Sequence, residues 1–371
     1  MSHDSLELRS TITADAQLRL ELVPVTLPDP GPGQLLVRIE AAPVNPSDLG
    51  LLFGPADLSA LEQGGTADAP VLTAPVPQGA MAAMRARIDQ SMPVGNEGAG
   101  TVIAAGPDQT DLIGRRVAMM GGAMYATHRL IDAREALPLP EGADAEAGAA
   151  LFVNPLTALG FVETMRAQGH TAMVHAPAAS NLGQMLVRIC RDDGIGLVNI
   201  VRSAEQAAML RDLGATHVVD SSTDSFRADL EQAIAETGAT LSFDAIGGGE
   251  TTSIILNAME AVAARSMDRY DRYGSGTFKQ GYIYGALDTG PSVLRRGFGF
   301  SWQIGGWLLF QQLQRLDPAV VEAMRARVAR EMTTTFASAY TARVSLAEAL
   351  SPDTARAMNR KATGAKYLIR P

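Results

Sequence analysis

The chain has 371 residues, more than the ~250–300 at which a single hydrophobic core stops growing, so two domains are expected. Hydrophobic residues make up 46% and charged residues 19%, a composition that folds. Thirty-one Lys and Arg against 40 Asp and Glu leave a net charge of −9, which argues against nucleic acid or an anionic membrane as the main partner.

In chain order, the N-terminus Met1-Ser-His-Asp-Ser-Leu-Glu has neither the basic nor the apolar part of a signal peptide. Leu18 to Val23 alternates apolar and polar residues, and Gln34 to Ala41 follows a Pro-Gly-Pro-Gly turn; both predict strands. Gly98 to Gly106 and Arg116 to Met120 predict further strands in a small, largely antiparallel β domain. An excursion over 55–93, rich in Ala, Pro and Gly, interrupts this pattern and carries helix-forming residues from Gly79 to Gln90. So long an insertion is expected to be either a functional lid or disordered. From about Thr157, strands and helices alternate. Strands are predicted at 171–176, 197–201, 217–219, 240–244 and 280–285, with helices at 182–191, 204–213, 226–236 and 250–264. That rhythm predicts a parallel sheet with helices on both faces, binding ligands beyond the carboxyl ends of its strands. Helix is expected from Trp307 to about Met332, and Tyr367 to Arg370 predicts a last strand that returns to the N-terminal β domain. No run of ~18 apolar residues lacks charge, so no membrane span and a cytoplasmic location are expected. The single cysteine, Cys190, excludes an intramolecular disulfide and a multi-thiolate zinc site.

The main chemical signal is His175-Ala-Pro-Ala-Ala-Ser-Asn-Leu-Gly-Gln, between an apolar strand and a helix. Small residues there let backbone approach a pyrophosphate, and the following helix aims free N–H groups at it. Ala179, Ser180, Asn181, Leu182 and Gly183 are the candidate contacts, although only Gly183 keeps a glycine of the usual GxGxxG pattern. An ordinary strand–helix turn is the alternative. The second strand ends Asn199-Ile-Val-Arg202-Ser203 with no carboxylate at its tip. Arg202 suits the 2′-phosphate of NADP, with Ser203 donating one more hydrogen bond. A solvated surface charge is the other explanation for Arg202. Glycine-rich strand ends at Ile246 and Gly247, and at Gly285 and Ala286, fall where a nicotinamide would run, or are tight turns.

With these residues in hand, the chain resembles the medium-chain dehydrogenase/reductase superfamily, in its zinc-free NADPH:quinone oxidoreductase and enoyl-thioester reductase branch. The matching motifs are Ala42 to Asp48, Gly95 to Gly100, Asn154 to Ala158, Ser180 to Gln184, Asp212 to His217 and Asp244 to Gly248, in the family's order along almost the whole chain. The resemblance implies a GroES-like catalytic domain (1–155 with 325–371, insertion at 55–93) and a Rossmann NADP-binding domain (156–324). A cleft between them, and usually a homodimer, belong to the same implication. It places Asn45 against the nicotinamide or the acceptor oxygen with Asp48 beside it, and Thr157 near the cofactor phosphates. Tyr125 either lines the cleft or is a half-buried strand aromatic. Asn45 and Asp48 have an alternative as well: a loop held by Asx-type bonds to its own backbone.

Zinc-dependent relatives carry a histidine where this chain has Asn96, and an amide is a poor zinc ligand. His128, His170, His175 and His217 lack metal-ligand spacing and are expected to be structural or at the surface. No metal is therefore expected. Hydride transfer by placement alone suits an electron-poor small-molecule acceptor, a quinone or an α,β-unsaturated carbonyl. The residues Phe53-Gly54-Pro55-Ala56 lack the tyrosine of the enoyl-thioester reductases, which counts against that alternative. A protein that binds NADPH without turnover is the alternative of another class. Phe298 to Trp307 offers aromatic surface for a planar acceptor, unless it serves the core or a dimer contact.

Overall fold

A computed structural model describes residues 3–67, 69–360 and 366–371; Met1 and Ser2 of the polar N-terminus lie outside the described residues. The chain divides into two compact units, Met1–Val153 with Arg327–Pro371, and Asn154–Ala326.

In the first unit β1 (His3–Ile12) and β2 (Gln17–Leu27) form an antiparallel hairpin. The period-2 pattern of β2 sends Leu18 and Leu20 into the core. β3 (Gln34–Pro43) leads into a short helix, α1 (Pro46–Leu52), with proline where the first helical N–H would lack a partner. The excursion follows, and over its described residues it is ordered as strands and short helices. β4 (Glu62–Gly65) and β5 (Pro70–Pro75) extend the hairpin. Leu72 and Ala74 alternate into the same core as β2, a strand pattern that the Pro- and Gly-rich composition hides. The helix-forming stretch yields only α2 (Gln78–Met84) and one 3₁₀ turn, Arg85–Arg87. It stops there because Asp89 turns left-handed (φ 57°) and its N–H goes to the Ile12 carbonyl at 2.8 Å. β6 (Met92–Pro93) then completes a sheet of order β4-β5-β2-β1-β6.

β7 (Glu97–Ala105), β8 (Arg116–Met120), β9 (His128–Asp132) and β10 (Ala136–Pro138) build a second sheet around β3. α3 (Ala145–Gly148) follows, its N-terminus capped by the Asp144 carboxylate, which accepts the Ala147 N–H. α4 (Val153–Ala167) carries the chain into the second unit. By length and composition the stretch Ala145–Ala167 is apolar enough to cross a membrane, although Glu146 and Glu163 leave it no charge-free run of 18 residues. Since 78% of its most apolar window is buried inside the protein, core packing explains that composition.

The second unit alternates as its apolar rhythm predicts: β11 (Ala172–Ala176), α5 (Asn181–Asp193), β12 (Gly196–Val201), α6 (Ala204–Asp212), β13 (His217–Asp220), α7 (Phe226–Thr237) and β14 (Leu241–Asp244). A short β15 (Gly247–Gly249), α8 (Thr251–Ala264), β16 (Lys279–Ile283), β17 (Asp288–Ser292) and β18 (Trp302–Gly306) come next, then α9 (Leu309–Arg315) and α10 (Pro318–Arg330). Six strands form one parallel sheet, β13-β12-β11-β14-β16-β18, with α7 and α8 packing Leu230, Ile234, Ile255 and Leu256 against it. Phe161 of α4 stacks on Phe243 of β14 with ring centroids 3.9 Å apart. The run from Phe298 to Trp307 is not one aromatic surface. Much of it is strand β18, Phe298 is buried, and Trp307 packs edge-on against Phe161 with its indole N–H on Thr164.

After α10 the chain rejoins the first unit through β19 (Ala342–Val344), α11 (Pro352–Asn359) and β20 (Tyr367–Ile369). β20 pairs antiparallel with β3, Leu368 opposite Pro43, so the second sheet runs β10-β8-β7-β3-β20-β19 with β9 also on β3. An antiparallel β-rich unit plus a doubly wound parallel-sheet unit is the fold class expected.

Candidate functional site

The carboxyl edge of the parallel sheet is built from the loops singled out in the sequence. After β11 the chain turns through Pro177 and Ala178, and Ser180 caps α5 by accepting the Gly183 N–H at 3.1 Å. Gly183 is required by space: a Cβ there would sit 2.0 Å from the Ala178 carbonyl oxygen. The loop backbone thus lies directly against the first turn of α5. Ala179 is buried and Gln184 donates to its carbonyl, which fixes the turn. A phosphate needs this kind of closely packed backbone at a helix start.

The ends of β14 and β16 meet beside it. Ala245 N–H bonds Ala176 O at 2.9 Å, and Leu287 N–H bonds Ala245 O at 3.1 Å. Ile246, Gly247, Gly285 and Ala286 are brought together there, so close that a Cβ on Gly285 would lie 2.8 Å from Ala245 O. The buried Asp244 holds this turn. One carboxylate oxygen accepts the Ile246 N–H at 2.7 Å, and the other the Thr252 hydroxyl at 2.8 Å. Arg202 is exposed at the tip of β12. Ser203 is less available than expected: as the α6 N-cap its hydroxyl oxygen accepts the Gln206 N–H, and its proton serves Glu205. Thr157 is buried in the early part of α4.

Asn45, Asp48 and Tyr125 lie in the first unit and form a buried polar cluster. Asp48 accepts the Asn45 N–H at 2.8 Å and the Asn96 N–H at 2.9 Å, one on each carboxylate oxygen. The Asn45 side-chain amide donates to Glu97 at 2.8 Å. Local Asx-type bonding is therefore real, and it coexists with a side-chain tie across to β7. Tyr125 does not line a surface: it is fully buried, and its hydroxyl donates to the Pro43 carbonyl at 3.2 Å. Glu97 had no role assigned from sequence, although its motif was visible. Its second carboxylate oxygen accepts the N–H groups of Phe152 and Val153, each at 2.9 Å, at the start of α4. Lys366 and Tyr340 complete the cluster, the ammonium 5.7 Å from the Tyr340 ring centroid. They stand 26 positions apart and far from Glu97 in the chain, so no local pattern links them.

Burial drives the electrostatics of this cluster. It pushes the Asp48 carboxyl up to about 7, with the Glu97 charge adding to it against two N–H donors. Glu97 is raised for the same reason, opposed by Lys366. The Lys366 ammonium is lowered by burial to about 8, with both carboxylates opposing that shift.

The histidines are structural. His175 is buried and driven down to about 3 by desolvation, with Nε2 2.7 Å from the Tyr284 hydroxyl. His170 bridges Thr240 and Gln280. His128 and His217 are partly buried, and Cys190 is buried on α5. Among the described residues no group of three or more His, Cys, Asp and Glu is placed to hold a metal. The Asn96 amide instead donates to the Ser47 hydroxyl at 3.0 Å.

The zinc-binding dehydrogenase family model matches residues 182–264, from α5 to the end of α8. The synaptic vesicle membrane protein VAT-1 homolog of Homo sapiens is 28% identical over 239 residues, 63% of this chain and 53% of that protein. This chain thus spans about half the length of that curated relative. A solved structure of a putative NADPH:quinone reductase from Mesorhizobium loti superposes with a TM-score of 0.72 at 25% identity, covering 100% of this chain and 98% of that one. The Etr1p/NADP/crotonyl-CoA complex shares the fold, with a TM-score of 0.69 at 18% identity and full coverage of both chains. With the fold and the carboxyl-edge loops, these likenesses make the chain similar to proteins of the medium-chain dehydrogenase/reductase type, quinone and enoyl reductases among them.

Proposed function

We propose that the chain is an NADPH-dependent, zinc-independent oxidoreductase that reduces a quinone or an α,β-unsaturated carbonyl compound. The observation that carries this reading is the turn at Gly183, where an absent side chain leaves loop backbone and helix start in direct contact, the close-packed backbone that a pyrophosphate at a helix start needs. The reductases among the structural likenesses support the same cofactor and the same kind of small, electron-poor substrate. Ala179, Ser180, Asn181, Leu182 and Gly183 hold the pyrophosphate. Ile246, Gly247, Gly285 and Ala286 give the nicotinamide end a backbone wall, and Thr157 approaches the phosphates. Bound NADPH supplies the hydride.

The protein's part is then to bind, orient and exclude water. Asn45 and Asp48, fixed by their mutual bonds and by Glu97, are the groups we place on the acceptor side. The first unit is the GroES-like catalytic domain, and the second is the cofactor domain. With the amide of Asn96 where a zinc-ligating histidine would stand, the reading calls for an acceptor that is already electron-poor. The chain works as a cytoplasmic homodimer. The last strand of the parallel sheet, β18, pairs on one side only among the described residues, with Phe300 and Leu308 exposed just beyond its two ends, a template for pairing with a second copy.

Arg202 selects the cofactor. Arg202→Ala is expected to weaken NADPH by roughly 1.5–3 kcal/mol, the scale of a hydrogen bond to a charged group, and to leave NADH nearly unchanged. Fluorescence titration with each coenzyme checks this, and equal weakening of both would make Arg202 structural. NADPH oxidation by EDTA-dialysed protein over a panel of quinones, enals and enoyl thioesters tests the reaction. Turnover with quinones or enals is expected. Activity confined to crotonyl-CoA-type thioesters would identify an enoyl-thioester reductase, and tight NADPH binding with no turnover a non-catalytic binding protein.

A further inference from the structure

The 55–93 excursion carries a side chain that the proposed chemistry does not use. The Arg87 guanidinium reaches back to the C-terminal end of α1. One terminal nitrogen donates to the Gly50 carbonyl at 3.3 Å; the other donates to the Leu51 carbonyl and to the Ser10 hydroxyl, the latter at 2.7 Å. Ser10 in turn donates to the Leu52 carbonyl at 2.8 Å. The last carbonyls of a helix have no partners within it. Here three successive ones are closed by two residues from outside the helix, and a cation at that end also suits the helix dipole.

A helix of seven residues cannot hold its own geometry in water. α1 is capped at its other end by Asn45, with Asp48 in its first turn. The segment bearing Arg87 is itself tied down. Asp89 N–H bonds the Ile12 carbonyl, its carboxylate accepts the Ala14 N–H at 3.1 Å, and Ile88 bridges to Ile12. A chain of fixed contacts therefore runs from β1 through Arg87 to the helix that bears Asn45 and Asp48.

We propose that Arg87 is a positioning residue for the reaction, a clasp by which the excursion holds α1, and with it Asn45 and Asp48, in place. The proposal rests on the reading of those two residues as the acceptor-side groups. The test uses the full chain with NADPH and a quinone, comparing Arg87→Met, Arg87→Lys and Asn45→Ala. Arg87→Met is expected to lower kcat at least ten-fold while the NADPH Kd stays within two-fold. Arg87→Lys, which keeps the charge with one donor group, is expected to recover part of that loss.

Unchanged kcat in Arg87→Met would overturn the clasp, as would a lower melting temperature with full kcat in the folded fraction. If Arg87→Met does not fold, Arg87→Lys alone decides, and wild-type kcat there would overturn the clasp too. Loss of turnover in Asn45→Ala with none in Arg87→Met would sink the clasp alone. Wild-type turnover in Asn45→Ala would sink the reading of the site beneath it.

Discussion

Glu260→Ala is expected to destabilise the protein by about 3–5 kcal/mol, the cost of leaving a buried ion without its partner. Lys279, at the start of β16, has no exposed side-chain surface, and Glu260 on α8 has 8%. Their ammonium and carboxylate are 2.5 Å apart. Ser275 adds its N–H and hydroxyl to the same carboxylate, each at 2.6 Å, and the Thr277 carbonyl accepts from Lys279 at 2.7 Å. Burial alone would raise the Glu260 carboxyl, yet the bonds from Lys279 and Ser275 hold it below its usual range. The carboxylate therefore pins the start of a central strand and the loop that enters it.

Thermal melts of two variants separate the pair's net worth from the cost of breaking it. A loss of that size lowers the melting temperature by roughly 10 °C in a chain this long. The double variant Glu260→Leu with Lys279→Met should recover most of it, because an apolar pair of similar volume avoids the desolvation of both ions. If the double variant melts as low as Glu260→Ala, the loop hydrogen bonds matter and the charges do not.

The second large effect falls on the cofactor loop. In Gly183→Ala the added carbon would stand 2.0 Å from the Ala178 carbonyl oxygen, and that neighbour is backbone. Either the loop moves away from α5 or the helix start shifts. Overpacking of this kind costs about 1–3 kcal/mol. If it falls on binding, NADPH weakens by roughly ten- to hundred-fold. Titration with NADPH checks the first expectation, and melting without cofactor measures what falls on the fold. Unchanged affinity would mean that the cradle does not touch the cofactor.

The parallel-sheet unit was legible because its central strands are short apolar runs separated by helical stretches, two of which open on a capping serine. Ser180 before α5 and Ser203 before α6 are such signals, and both serve as N-caps. β18 was not legible as a strand: Trp302-Gln-Ile-Gly-Gly lacks both alternation and an apolar run, and only its place beside β16 makes it one. β5 was hidden by the Pro, Ala and Gly around it, although its inward residues alternate. In the first unit the Asn45–Asp48 turn could be seen as a motif, but its meaning depends on Glu97, 52 residues away. Burial of Tyr125 was invisible for the same reason. A tyrosine after a glycine pair and a methionine reads as readily at a surface as beneath one. Packing partners distant in the chain decide the matter, and a single sequence does not state them.

The most direct measurement is the fate of the hydrogen. Purified, EDTA-treated protein would be given NADPH carrying deuterium at the nicotinamide C4, together with an α,β-unsaturated carbonyl acceptor, and the product analysed by mass spectrometry. One deuterium is expected on the product's β-carbon, delivered from one face of the coenzyme. NADPH that binds but leaves no label in any product would contradict the proposed reaction, and so would turnover that stops with the chelator and returns with zinc.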